Sequence, residues 1–195
     1  LSRSEAADLQ AQSRALGVSH THYSADLSNP ALVLELNKAL FQALEGKDYR
    51  KIILITNAGQ LQPVAPCGKA EEAVMVQAMN VNSIAPMILS SGLIRHCKAQ
   101  GISGSILNIS SGAARNPYAG WSAYCSSKAA LDMFTACVAL EQEQAYPSVR
   151  ILSLGPGTVD TAMQEAIRDV DPANFPMKAK FIRLHEEQRL TRTDD

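Results

Sequence analysis

Three short apolar segments constrain the fold of this chain more than any other feature of its sequence. They cover residues 51–55, 104–109 and 149–154, and the first reads Lys-Ile-Ile-Leu-Ile without alternation of polar and apolar positions. Unbroken runs of this length are typical of parallel strands that are covered on both faces. We therefore expect three central strands, each buried on both sides.

Helices are predicted between these strands, where Ala and Leu recur and glycines supply stop signals. The predicted helices cover residues 4–16, 28–44, 71–93 (broken near Pro86) and 122–144, and a further short strand covers residues 18–23. Alternating strands and helices form βαβ units, which predicts an α/β fold with a parallel sheet between two helical layers. We expect one domain over residues 1–195, with its last part lying as helices and loops over one end of the sheet.

Composition and charge exclude several classes of function. The net charge of −1 favours neither nucleic acid nor an anionic membrane as a partner, and no apolar run approaches the ~20 residues of a membrane span. The four cysteines form no C-x-x-C pair, and His20 and His22 lack a third ligand nearby, so we expect reduced thiols and no metal site. A cytoplasmic protein is the expectation, although the sequence does not begin with Met.

Small and polar residues follow each predicted central strand. Asn57 begins an Asn-Ala-Gly segment after the first strand, Ser111 follows the second, and Pro156 and Gly157 follow the third. Each of these segments on its own is ordinary turn chemistry. In an open α/β sheet, however, ligands bind beyond the carboxyl ends of the strands, so three such segments predict a site at that edge.

Tyr124 and Lys128 are four residues apart on the predicted helix 122–144 and therefore share one face of it. A free Tyr has a pKa near 10, and a nearby cation lowers that value. A dry site that combined Lys128 with a second positive charge would lower the pKa of the Tyr124 hydroxyl towards neutral values. A Tyr and a Lys at this spacing are also common on ordinary helix surfaces, so the pair needs its context.

In that context the chain resembles the short-chain dehydrogenase/reductase family. The resemblance rests on matching motifs in matching order, which are Asn57-Ala58-Gly59, Met79-Asn80-Val81-Asn82, Asn108-Ile109-Ser110-Ser111, Tyr124-x-x-x-Lys128 and Pro156-Gly157-Thr158-Val159-Asp160-Thr161. It implies a Rossmann-type fold and hydride transfer between a nicotinamide and a carbonyl group. The family's Gly-rich phosphate turn and last strand are absent, so we expect a chain that is incomplete at both ends.

The resemblance also implies catalytic roles. Tyr124 would protonate the carbonyl oxygen and Ser111 would polarise it. Lys128 would lower the Tyr124 pKa and hold the nicotinamide ribose. Asn80 would kink its helix and hold a water behind Lys128, although Asn82 lies close enough to compete for that role.

The cofactor implied by the resemblance is NADP(H). Asp26 and Leu27 would lie near the adenine, and Ser2 and Arg3 would bind the 2′-phosphate, because a guanidinium binds phosphate oxygens bidentately. No acidic residue stands at Arg3, where NAD-binding members commonly carry one. The other residues implied to contact the cofactor, besides Tyr124 and Lys128, are Asn57, Ala58, Gly59, Pro156, Gly157, Val159 and Thr161.

The segment 160–172 resembles the sepiapterin reductase and benzil reductase branch of the family. It implies a homodimeric or homotetrameric carbonyl reductase acting on a ketone or vicinal diketone, with residues 158–195 as the substrate lid. Met163, Ile167, Phe175 and Phe181 would line the lid, and Tyr118 and Trp121 would contact a flat substrate; simple packing is the alternative for all six. A non-catalytic NADP(H) sensor of the same fold is the alternative function.

Overall fold

The computed structural model of the protein describes residues 7–192. Its helices and strands, in chain order, are α1 (Ala7–Ala15), α2 (Pro30–Gln42), β1 (Lys51–Thr56), α3 (Glu72–Met79), α4 (Ala85–Gln100), β2 (Ser103–Ile109), α5 (Ser122–Ala145), β3 (Val149–Leu154), α6 (Ala162–Asp169) and α7 (Lys178–Glu186). The strands form a parallel three-stranded sheet in the order β1-β2-β3. The predicted α/β fold class is confirmed.

One face of the sheet is covered by α4 and α5. Leu93 and Cys97 from α4 and Val138 from α5 pack against Ile106 of β2 in one buried cluster. On the opposite face, Ile53 is 62% exposed, and Ile55, Leu152 and Leu154 are exposed as well. The expectation that each strand is buried on both sides is therefore wrong for β1 and β3 within the described residues, where every second side chain faces solvent.

A buried asparagine joins the sheet to α5. Thr56 Oγ1 donates to Asn108 Oδ1 at 2.7 Å, and Asn108 Nδ2 donates to Thr135 Oγ1 at 2.8 Å. Asn108 is fully buried, so its amide oxygen and its amide nitrogen both depend on these partners for hydrogen bonds. The ends of β1 and β2 are thereby tied to the helix that carries Tyr124 and Lys128.

A π-helical turn, Asn80–Ile84, connects α3 to α4 in one continuous helix from Glu72 to Gln100. The helix is therefore not broken near Pro86, as predicted, but contains the π-helical turn just before that residue. Pro86 itself occupies the first turn of α4, where a missing N–H is tolerated. By length and hydropathy alone this 29-residue helix passes the criterion for a membrane span. The expectation that no apolar segment approaches that length is therefore wrong. Its buried residues, Leu93 and Cys97 among them, pack on the sheet as those of a core helix do.

The predicted strand at residues 18–23 does not form. Those residues have no regular structure, and a single bridge position follows at Ser24. A strand requires a hydrogen-bonded neighbour, and no described strand lies beside this segment. The helices expected in the last part of the chain are present as α6 and α7, and the residues after them form an isolated parallel bridge between Thr191 and Val159, beyond the end of β3.

Replacing Asn108 with Leu, which is similar in size, tests the buried connection to α5. The Thr56 hydroxyl loses its acceptor and the Thr135 hydroxyl loses its donor, so we expect the free energy of unfolding to fall by about 2–4 kcal/mol. Urea denaturation of the intact protein measures this change. Ser103→Ala, an exposed change at the start of the same strand, is the control and should stay within about 0.5 kcal/mol of the wild type. Equal stability of the two variants would contradict the assignment.

Candidate active site

The carboxyl ends of the three strands open into one cavity of about 780 Å³. The predicted site residues that line it are Asn57, Ala58, Gly59, Ser111, Tyr124, Lys128, Pro156, Gly157, Val159 and Thr161. They come from four separate segments of the chain, and the parallel pairing of the strands brings those segments to the same edge of the sheet. The cavity is the candidate active site.

Ser111, Tyr124 and Lys128 form the centre of this cavity. Ser111 caps the short helical turn Gly112–Ala114, with its Oγ accepting from the Ala113 N–H at 3.2 Å, and it lines the cavity beside Tyr124. Tyr124 and Lys128 are both buried, and the Lys128 Nζ lies 5.9 Å from the centre of the Tyr124 ring. The predicted helical neighbours therefore do face one pocket.

Burial shifts the pKa of both groups. It raises the pKa of Tyr124, which the hydrogen bond from Ser111 only partly opposes. It lowers the pKa of Lys128 to about 8, although Asp132 one turn further along α5 opposes the shift. The expected lowering of the Tyr124 pKa by Lys128 is thus not found in the protein alone, where burial is the largest cause of the shift and raises the pKa.

Lys128 Nζ donates to the carbonyl oxygen of Ile109, at the end of β2, at 2.9 Å. An ammonium group has three N–H donors, so this bond fixes the side chain and leaves capacity for ligand hydroxyls. The contact also explains why a charged side chain is tolerated here, since a buried cation needs a partner.

The structure places Asn82, and not Asn80, against the catalytic helix. Asn82 is fully buried; its amide exchanges two hydrogen bonds of 2.8 Å with the Gln60 backbone and donates to Ser127 Oγ at 2.9 Å. Asn80 instead donates to the carbonyl oxygen of Ser28 and does not line the cavity. Asn82, the competing residue, is thus the one whose side chain contacts α5. The water-holding role predicted for Asn80 stays a prediction.

The remaining cofactor predictions fall into three groups. Asn57, Gly59 and Gly157 stand on the cavity wall, and Gly157 has φ +80 with open space where a side chain would begin. Asp26 accepts a hydrogen bond from the Ser28 N–H at 2.9 Å in a turn, and neither it nor Leu27 lines this cavity, so their role stays a prediction. Ser2 and Arg3 lie outside the described residues.

Aromatic residues form the other end of the cavity. Tyr118, Trp121 and Phe181 line it, together with Met163 and Ile167 from α6. Phe175, predicted to line the lid, instead lies behind the wall, where it stacks on Trp121 with 4.4 Å between the ring centres and 9° between the planes. One aromatic cluster therefore both packs the core and lines the cavity, and Phe175 contributes only to the packing.

Leu61, Gln164 and Arg192 also line the cavity and were not predicted. Leu61 and Gln164 adjoin predicted segments, and their sequence neighbours were the available signal. Arg192 had none, because it reaches the cavity only through the return of the chain at Thr191, which donates its N–H to the Thr158 carbonyl at 2.9 Å. Among the described residues that line the cavity, Lys128 and Arg192 carry charge and none is acidic.

Comparison with known proteins identifies the family. The family model described as short chain dehydrogenase matches residues 1–171, and the chain therefore belongs to that family. A benzil reductase ((S)-benzoin forming) of Bacillus cereus is 43% identical over 159 residues, 80% of this chain and 64% of that protein. A sepiapterin reductase of Rattus norvegicus is 32% identical over 174 residues, 86% of this chain and 63% of that protein. The chain thus spans slightly less than two thirds of both relatives.

A solved structure agrees with this assignment. It is a metagenomic short-chain oxidoreductase in complex with NADP, which has a TM-score of 0.68 at 25% identity and covers 96% of this chain and 79% of its own. The family and the Rossmann-type fold are thereby established, and the chain is similar to the benzil and sepiapterin reductase branch.

Lys128→Met tests the cost of burying this cation. The pKa of Lys128 is about 8 in the folded protein and near 10.5 in the unfolded chain, so the unfolded chain binds the proton more tightly between those values. Wild-type stability should therefore rise with pH across that window, and the cost of the charge is complete below pH 8. Without cofactor, we expect the variant to be more stable than wild type by about 1–3 kcal/mol at pH 7.

The advantage of Lys128→Met should shrink at pH 9.5, where most of the wild-type Lys128 is neutral. Urea unfolding at the two pH values measures it, with the exposed Lys69→Met as the control that should show no such pH dependence. A difference between wild type and Lys128→Met that is the same at both pH values would contradict the lowered pKa of this buried side chain.

Proposed function

We propose that the intact protein is an NADPH-dependent carbonyl reductase that acts on a ketone or vicinal diketone. The observation that carries the proposal is the convergence of Ser111, Tyr124 and Lys128 in one cavity whose far wall is aromatic. The membership of the family and the similarity to benzil and sepiapterin reductases support the reaction class.

The chemistry follows from the state of each group. NADPH, when bound, supplies the hydride that adds to the carbonyl carbon. Tyr124, which burial keeps protonated at neutral pH, donates its proton to the carbonyl oxygen as negative charge develops there. The Ser111 hydroxyl hydrogen-bonds to the same oxygen and orients it towards Tyr124. Lys128 holds the ribose hydroxyls and, when charged, favours the tyrosinate that remains.

The cavity suits an anionic dinucleotide. Its described lining has two cationic side chains and no carboxylate, which matches the negative charge of a diphosphate. Gly157 leaves its stretch of wall without a side chain, and nothing lies within 4 Å of where its Cβ would be, so backbone can approach a ligand there. NADP(H) rather than NAD(H) is proposed from Arg3 and from the similar enzyme in complex with NADP.

The aromatic wall supports an aryl or pterin-like substrate. Tyr118, Trp121 and Phe181 offer ring faces and edges within reach of a group held at Tyr124. Flat conjugated groups gain from such contacts beyond simple area burial. The Bacillus cereus relative is named for the reduction of benzil, which is a vicinal diketone carrying two aryl rings.

We also propose a cytoplasmic homodimer or homotetramer that uses α4 and α5 in its subunit contacts and binds neither nucleic acid nor membrane. The exposed Met133 and Leu140 on α5 support an apolar contact surface there. Light scattering on the intact protein would contradict this assembly if it detected monomer alone.

Oxidation of NADPH by the intact protein tests the reaction. Benzil, sepiapterin and a simple aromatic aldehyde are offered separately to the wild type and to Tyr124→Phe, and absorbance of NADPH is followed. We expect turnover of at least one dicarbonyl, and a loss of about 10²–10⁴-fold in kcat for Tyr124→Phe because the general acid is removed. Tight NADPH binding without turnover of any of these carbonyls would favour the sensor alternative.

We propose that Arg192, as a cation in the cavity lining, contacts the diphosphate of the cofactor, and Arg192→Gln tests this contact. Losing one charge-assisted contact should weaken NADPH binding about tenfold, and NADH binding by a similar factor, because both dinucleotides carry the diphosphate. Fluorescence titration of the reduced cofactors measures both dissociation constants. Arg189→Gln is the matched control, because Arg189 is exposed and pairs with Glu187 at 3.3 Å outside the cavity lining. Loss of NADPH binding alone would assign Arg192 to the 2′-phosphate instead.

A further inference from the structure

The turn before α5 meets the lid at Gly120. Gly120 has φ +87, and a methyl group built there would overlap the carbonyl oxygen of Asn174, with the carbonyl carbon 3.3 Å away. The obstructing atoms belong to the backbone, so no side-chain rotation can make room for the methyl group. On its other side, the Gly120 carbonyl oxygen accepts a hydrogen bond from the Ala65 N–H at 3.0 Å. The turn is therefore held between two loops, and only a residue without a side chain fits.

The lid loop arrives at Gly120 in a defined conformation. Asp171 Oδ1 accepts from the Ala173 N–H at 2.9 Å, and the Asp171 carbonyl oxygen accepts from the Asn174 N–H at 2.9 Å. The next residue, Phe175, is fully buried and stacks on Trp121. Two consecutive residues of the lid thus seat on two consecutive residues of the turn, Asn174 on Gly120 and Phe175 on Trp121.

This seat connects directly to the cavity. Trp121 contacts the Tyr124 ring edge-on, with ring centres 5.7 Å apart, and Phe181 lies 5.4 Å from Trp121 and 5.6 Å from Phe175. Phe181 and Trp121 both line the cavity. A displacement of the lid loop from Gly120 would therefore move the wall that faces a group bound at Tyr124.

We propose that Gly120 is a positioning residue that sets the height of the lid above Tyr124 and thereby selects flat aromatic carbonyl substrates. It acts through Asn174 and Phe175 and contacts no reacting atom. The proposal rests on the proposed reductase function, because selection among carbonyl substrates presupposes that they are reduced.

Gly68 provides a matched control. It has φ +91, close to that of Gly120, but nothing lies within 4 Å of where its Cβ would be. Gly68→Ala and Gly120→Ala therefore introduce the same methyl group at similarly unfavourable backbone angles, and only the second one meets the lid. Any effect specific to Gly120→Ala reports the contact and not the backbone angle.

Trp121 provides a spectroscopic readout, since it is the single tryptophan of this chain. Its ring is buried against Phe175, so loss of the lid contact should expose it and shift its emission to longer wavelength. A Trp121→Phe variant of the intact protein supplies the background to subtract.

The experiment compares wild type, Gly120→Ala and Gly68→Ala of the intact protein with benzil and with butane-2,3-dione, a small vicinal diketone without rings. For Gly120→Ala we expect KM for benzil to rise about tenfold or more, KM for the small diketone to change little, and the Kd of NADPH to stay the same. Its Trp121 emission should shift to the red. Gly68→Ala should match the wild type in all four measurements.

Phe175→Leu keeps Gly120 and removes the stack, so it tests the same seat if Gly120→Ala does not fold. It should also raise KM for benzil selectively and shift the Trp121 emission. Unchanged KM for benzil in the folded variants, or equal losses with both diketones and NADPH, would overturn the proposal. If the wild type reduces neither diketone and also neither sepiapterin nor the aldehyde, the proposed function fails as well, whereas the emission shift still reports whether the lid seats on Gly120.

Discussion

The amide of Asn108 carries the connection on which the active site depends. It accepts from Thr56 at the end of β1 and donates to Thr135 on α5, so a single buried side chain spans strand, strand and helix. Tyr124 and Lys128 belong to that helix, and Lys128 in turn bonds to the end of β2. Because these contacts are buried, breaking one leaves unsatisfied polar groups. The catalytic helix is therefore held rigidly against the edge where the ligand would bind.

The same burial that fixes the site also sets its electrostatics. Desolvation raises the pKa of Tyr124 and lowers the pKa of Lys128, so each group is driven towards its neutral form before any ligand is present. A protonated phenol is what the reduction of a carbonyl requires from its acid. Burying Lys128 costs stability, and strain of this kind is common at functional sites.

Sequence patterns predicted the parts of this structure that depend on local periodicity. The central strands, the shared face of Tyr124 and Lys128, and the convergence of Asn57, Ser111 and Gly157 all follow from residue spacing and parallel pairing. The parts that failed depend on neighbours distant in sequence. A strand at residues 18–23 needs an adjacent strand, and burial of Ile53 needs a covering layer. The choice between Asn80 and Asn82 needed the packing of this helix on α5, where Asn82 donates to Ser127.

The lid shows why a substrate wall is the hardest part to predict. Phe175 and Phe181 are six residues apart and equally apolar, yet one packs behind Trp121 and the other faces the cavity. Phe175 follows Asn174, whose backbone carbonyl lies against Gly120, and on our proposal this contact sets how closely the lid approaches Tyr124. The pattern of apolar residues does not reveal such a glycine, because the glycine acts by having no side chain where another backbone segment comes close. The distance between the lid and Tyr124 is thus determined by a position with no side chain.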